Sequence, residues 1–145
     1  VDIPDRIQAI RDADPDFWRN PDALKAALMV WQPECHVNDH GIFSPCPREV
    51  VAMSGRAVAE VGVCRVREHC YVFCSGLETS TTGFGYAPSV WSAHPYDTED
   101  AARRAGVQEL LERTAEQKGH SAAEKAELSV IRARLREQVA QPTLF

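Results

Sequence analysis

Long apolar runs, paired cysteines and a surplus of positive charge are what this chain lacks. No apolar stretch approaches the ~20 residues that a membrane-spanning helix needs. No charged-then-apolar segment of secretory type opens the chain, so a cytoplasmic protein without membrane contact is expected. The cysteines, Cys35, Cys46, Cys64, Cys70 and Cys74, contain no Cys-x-x-Cys pair. An odd number without a secretion signal points to free thiols rather than a disulfide frame. The formal net charge of −5 speaks against a general nucleic-acid binder, whose contact face is basic. Basic side chains cluster only locally, at Arg103-Arg104, at Arg65 and Arg67, and at Arg132, Arg134 and Arg136. The 21 acids among 145 residues are too sparse for dense imitation of DNA. A phosphate loop is missing too: Gly83-x-Gly85 lacks a third glycine and a strand-to-helix setting. Glu49, Glu60 and Glu68 do not have metal-nuclease spacing, and no repeat or low-complexity tract occurs.

What is present fits one folded domain. A length of 145 residues gives enough core to fold without staples, and 44% hydrophobic residues is an ordinary globular share. The expectation is a single α+β domain over residues 1–140, followed by a peptide tail at 141–145.

The N-terminal third reads as helical. Pro4 suits a first helical turn, and Ile3, Ile7 and Ile10 share one face. Asp14-Pro15 opens a short turn bearing Phe17 and Trp18. Asn20-Pro21 is a cap followed by a first-turn proline, and Leu24, Ala27, Leu28 and Trp31 follow helical spacing up to Pro33. Residues 34–46 read as a short hairpin or irregular loop around Asn38-Asp39-His40-Gly41, and 47–53 as a brief helix stopped by Gly55.

The middle reads as a small antiparallel sheet over about 57–92, packed by helices from both ends of the chain. Strands are expected at 57–67 and 70–74 around the turn Glu68-His69, then a polar turn at 76–82, then short strands at 83–86 and 89–92. Thr98 caps a helix over 98–118 with Glu99 and Asp100 in its first turn, and Gly119 ends it. Its expected inward residues are Ala101, Ala105, Leu110 and Leu111. Ser121 and Glu124 form a capping box for a last helix carrying the stripe Leu128, Ile131, Leu135 and Val139 and stopped by Pro142.

Three kinds of chemistry are open on these residues. A tetrahedral zinc site needs four thiolate or imidazole ligands, commonly in closely spaced pairs. It would have to be assembled across segments, from Cys35, His40, Cys46 and Cys70, or with Cys64 or His69 in the last place. Cys70 and Cys74 share one strand face but lie ~13 Å apart along it, too far to bind one metal. Packed free thiols without metal or cofactor are the favoured reading. A Cys/His nucleophile would place Cys46 at the N-terminus of the expected 47–53 helix, near His36 or His40, without a family motif around it. His69 and Cys70, adjacent on a strand, point to opposite faces. Finally, Phe84, Tyr86, Trp91, Tyr71 and Phe73 could stack single-stranded bases, a nucleic-acid reading that is not favoured.

The tail carries a different signal. Leu144 and Phe145 stand beyond a proline, after the polar stretch 125–138; two such residues gain nothing unless they pack on this domain or on another protein, and a disordered tail is the remaining alternative. The run Gln141-Pro142-Thr143-Leu144-Phe145 resembles the peptide by which bacterial polymerases, mismatch-repair proteins and related factors bind the ring-shaped sliding clamp. That family's pattern is roughly Gln-Leu-Ser/Asp-Leu-Phe. The resemblance implies that Gln141 hydrogen-bonds the rim of a groove, and that Leu144 and Phe145 fill its apolar pocket. Thr143 stands for Ser, while Pro142 departs from the usual Leu.

The β-β-β-α order is also similar to double-stranded-RNA-binding domains, certain antitoxins and small accessory proteins of phages and plasmids. Gly83-Phe84-Gly85, Pro88-Ser89-Val90-Trp91 and Pro95-Tyr96-Asp97-Thr98 carry that likeness, which is one of layout. Taken together, the chain reads as a non-enzymatic interaction or regulatory protein of bacterial or phage DNA metabolism with the clamp as partner. Two alternatives stand beside it: an anti-defence inhibitor, such as an anti-CRISPR, acting on a defence complex through its folded surface, and a Cys/His- or zinc-dependent enzyme.

Overall fold

The computed structural model describes residues 2–141 and has an α+β fold. Helix α1, Ile3–Ala13, starts where the Asp2 carboxylate accepts the Asp5 N–H, and it buries Ile7. A 3₁₀ turn at Phe17–Arg19 leads to helix α2, Pro21–Trp31, whose cap Asn20 accepts the Asp22 N–H at 2.9 Å. These caps satisfy first-turn donors that have no partner within the helix.

Next comes a hairpin of β1, His36–Val37, and β2, Phe43–Ser44. The main sheet has four strands: β3, Arg48–Ser54; β4, Ala57–Arg67; β5, Cys70–Glu78; and β6, Gly83–Gly85. They are antiparallel in the order β3-β4-β5-β6. Two helices close the fold, α3 over Glu99–Thr114 and α4 over Ala122–Ala140.

The structure corrects the expectation at 47–53, where the brief helix is strand β3. Val50 and Val51 are β-branched and resist the helix, and Gly55 at φ +57 turns the chain back so that Ser54 pairs with Ala57. Gly55 was expected to stop a helix and instead closes a hairpin. The sheet therefore begins at Arg48 rather than near residue 57. The polar turn expected at 76–82 is shorter, because β5 continues to Glu78 through the buried Gly76 and Leu77. Residues 89–92 form no strand of the main sheet. Ser89 makes one isolated bridge to Ile42, and Val90 is buried.

The sheet separates two cores. On one face Ala57, Ala59, Val61 and Leu77 meet Val107 and Leu110 of α3 and Leu128, Ile131 and Leu135 of α4. On the other face Cys64, Val66 and Val72 meet Ile7, Ala27, Val30 and Trp31 of the N-terminal helices, together with Phe43 and Val90. Each fully buried aliphatic or aromatic side chain contributes ~1.5–3 kcal/mol relative to exposure. Trp31 locks the second core. Its ring meets Phe43 edge-on at 5.0 Å and its indole N–H donates to the Val90 carbonyl at 3.0 Å.

Two expected stripes shift. Of the inward residues expected on α3 only Leu110 is fully buried, beside Ala102, Gly106 and Val107. On α4, Leu128, Ile131 and Leu135 are buried as expected, while Val139 near the helix end is 37% exposed. No helix among the described residues is long and apolar enough to cross a membrane.

Candidate functional site

The N-terminal layer covers only half of its sheet face. The other half is open, and a cleft of about 310 Å³ lies there, lined by Arg48, Val58, Glu60, Gly76, Glu78 and Phe84. Arg48 enters from the edge strand and lies across the strands. A side chain at Gly62 would meet the Arg48 Cγ at 3.3 Å, and one at Gly76 would meet its Nη1 at 3.1 Å. Two glycines on neighbouring strands thus clear a lane for one arginine. Its Nη2 donates to the Tyr86 carbonyl at 2.8 Å, which fixes the guanidinium over the sheet. An exposed, oriented guanidinium flanked by Glu60 and Glu78 offers both signs of charge to a polar partner.

At one wall of this lane lie two sulfurs. Cys46, between Pro45 and Pro47, places Sγ 3.3 Å from Sγ of the fully buried Cys74 on β5. A β-carbon on Gly62 would come within 2.8 Å of the Cys74 sulfur and 2.9 Å of the Cys46 sulfur. The shared contact, with help from Arg48, pulls the Cys74 thiol down to about 7, and the same contact together with burial pushes Cys46 up. Burial first, and the neighbouring Cys35 next, raise Cys64 to about 12, and burial raises Cys35 as well. Burial also raises Cys70.

The zinc alternative is not assembled. Among the described residues no group of three or more His, Cys, Asp or Glu side chains is placed to hold a metal ion. Of Cys35, His40, Cys46 and Cys70, the cysteines lie around one core while His40 is exposed in the Asn38 turn. The setting expected for Cys46 in the nucleophile reading is corrected. Cys46 precedes a strand rather than a helix, so no helix dipole stabilises its thiolate. His36 is exposed on β1, and His69 is exposed beside Glu68.

The aromatics do not form a common exposed platform. Phe84 lies under the Arg113 guanidinium at 3.7 Å, Phe73 packs on Tyr96 and Trp91 on Phe17. The Tyr86 hydroxyl donates to Glu109 at 2.5 Å, and Glu109 also accepts from the buried Ser75 hydroxyl at 2.7 Å. Burial, then that carboxylate, raises the Tyr86 pKa.

The tail begins at the surface. Helix α4 ends at Ala140, and Gln141 is exposed. Its N–H donates to the Gln138 carbonyl, and its own carbonyl accepts from Arg104 Nη1 at 2.7 Å. Arg104 is held in turn by Asp100 at 3.0 Å. Pro142, Leu144 and Phe145 lie outside the described residues.

Neither the dithiol nor the arginine lane was legible in the sequence. Both depend on reading 48–54 as a strand, which places Cys46 and Arg48 beside Gly62 of β4. The paired valines at 50 and 51 were the available signal. No family model matches the chain, and comparisons with curated proteins and with solved structures gave no match.

Proposed function

We propose that this chain is a non-enzymatic interaction protein of bacterial or phage DNA metabolism that docks on the sliding clamp through residues 141–145. In this reading Gln141 contacts the rim of the clamp groove, and Leu144 and Phe145 anchor in its pocket. The observation that carries it, beside the likeness of the peptide itself, is the position of Gln141. The residue is exposed directly after the last turn of α4, with its carbonyl tied to Arg104. Gln141 thus sets the start of the peptide at the surface of the domain. Short apolar anchors dominate such interfaces, with ~2 kcal/mol or more lost on truncation of each.

The test is binding of the full chain to purified bacterial clamp, with a synthetic peptide of residues 141–145 as competitor. Saturable binding displaced by the peptide supports the reading. Binding indifferent to the peptide, or no binding, contradicts it.

A second reading, an inhibitor of a defence complex acting through its folded surface, is favoured by strand β3. This is an edge strand that exposes Val50 and Met53 at about half of their surface. An apolar edge strand is a ready surface for a partner strand. Such an inhibitor keeps its effect when 141–145 are removed.

A further inference from the structure

We propose that Cys46 and Cys74 form a reversible dithiol switch that a hydroperoxide oxidises to a disulfide. The inference stands apart from the clamp reading and uses none of the tail residues.

The geometry argues for it in four parts. The sulfurs are already in contact at 3.3 Å, across residues 28 apart in sequence. The absent side chain at Gly62 leaves the space in which they meet. Cys46 precedes Pro47, which restricts its backbone to extended conformations and limits its escape from that contact. The two sulfurs also differ in access, since Cys74 is fully buried and Cys46 only partly. An oxidant therefore meets Cys46 first, with Cys74 waiting behind it as the resolving thiol. Arg48, whose stem passes the same gap, and the sulfur contact favour the thiolate of Cys74, so the shared proton rests on Cys46 and passes to Cys74 as Cys46 attacks.

The chemistry balances with one proton held between the two sulfurs and hydrogen peroxide as oxidant. The Cys46 sulfur attacks one peroxide oxygen as the shared proton passes to Cys74. The O–O bond breaks, Cys46 becomes a sulfenic acid and hydroxide leaves. Hydroxide takes the Cys74 proton and forms the first water. The Cys74 thiolate then attacks the Cys46 sulfur, the S–O bond breaks, and the departing hydroxide takes a proton from solvent to form the second water. The two sulfurs together lose two electrons and peroxide gains them. Reduction by a dithiol such as dithiothreitol restores the pair.

The disulfide would tie the segment before β3 to the central strand β5, across β4. That fixes the entry to the edge strand and the root of Arg48, so the oxidation state is coupled to the open half of the sheet.

The test is intact-mass analysis of the fully reduced chain titrated with hydrogen peroxide, followed by non-reducing peptide mapping. The expected result is a loss of two mass units within the folded protein, mapped to Cys46–Cys74 and reversed by dithiothreitol. In Cys74→Ser, a dimedone-trapped sulfenic acid should appear at Cys46 without the mass loss. Gly62→Ala, which pushes the sulfurs apart, should slow disulfide formation at least tenfold. Should Cys74→Ser fail to fold, Gly62→Ala and wild-type mapping decide alone. The proposal is overturned if no two-unit loss occurs while Cys46 is oxidised further. A disulfide mapped to Cys35–Cys64 or between chains, or a rate unchanged in Gly62→Ala, overturns it equally.

Discussion

Glu124 and Thr81 join the start of the last helix to the turn between two strands. The Thr81 hydroxyl lies 2.8 and 2.9 Å from the two carboxylate oxygens of Glu124, and Thr79 donates to the same group at 2.7 Å. Glu124 has no solvent-exposed surface. The expected capping box is half realised. Ser121 accepts the Glu124 N–H at 3.1 Å, but the Glu124 carboxylate turns to the loop and takes the His120 N–H rather than that of Ser121.

This network gives stability a pH dependence. The Thr79 hydrogen bond first, then Thr81, hold the Glu124 pKa below its ordinary 4.5. A depressed carboxylate stabilises the fold above its unfolded pKa, and the contribution is lost as pH falls through the folded pKa. Glu124→Gln should therefore lower the melting temperature at pH 7, and the gap to wild type should close progressively below pH 4.5. Melting curves from pH 3 to 7 check this. A gap that stays constant across the range contradicts the ionised network.

The α4 stripe divides at its end. Leu135→Ala removes a fully buried side chain and should cost ~2–4 kcal/mol in denaturant unfolding. Val139→Ala, at a partly exposed position, should cost under ~1 kcal/mol. Equal costs would mean that the last turn is as firmly packed as the middle of the helix.

Gly106 sets two effects of opposite sign against each other. Alanine in place of a mid-helix glycine favours the helix by ~1 kcal/mol. Here a β-carbon would sit 2.6 Å from Val61 Cγ1 and 3.2 Å from Phe73, where α3 meets the sheet. Overpacking of this kind costs ~1–3 kcal/mol, so Gly106→Ala should destabilise the protein on balance. A more stable variant would show that α3 can move away from β4 at little cost.

The elements legible in the sequence are those with a local signature. Asn20-Pro21 and Ser121 mark helix starts by side-chain chemistry that acts within one turn, and both cap as expected. The hairpin of β4 and β5 shows in its valines and in the turn at Glu68-His69. Strand β3 was missed because Pro47 and Gly55 suit a short helix as well as a strand. Only pairing with Ala57–Arg67 decides between them, and pairing is a tertiary effect. On α3 the expected Ala101 and Ala105 lie one position before the buried Ala102 and Gly106, because Gly106, without a side chain, marks a close approach to the sheet, while Leu110 is buried as expected. The Cys46–Cys74 contact was hidden for a further reason. Neither cysteine's own segment signals the other, and the residue that lets them meet is a glycine on a third segment.

A titration of purified bacterial sliding clamp tests docking through residues 141–145 most directly. The full chain should bind, and the double variant Leu144→Ala/Phe145→Ala should lose binding at least a hundredfold with an unchanged melting temperature. Gln141→Ala should weaken binding less, because it removes a rim hydrogen bond and leaves the pocket filled. A double variant that binds as well as the parent, or that melts several degrees lower while the parent shows no affinity for the clamp, contradicts the account and assigns Leu144 and Phe145 to the protein's own fold.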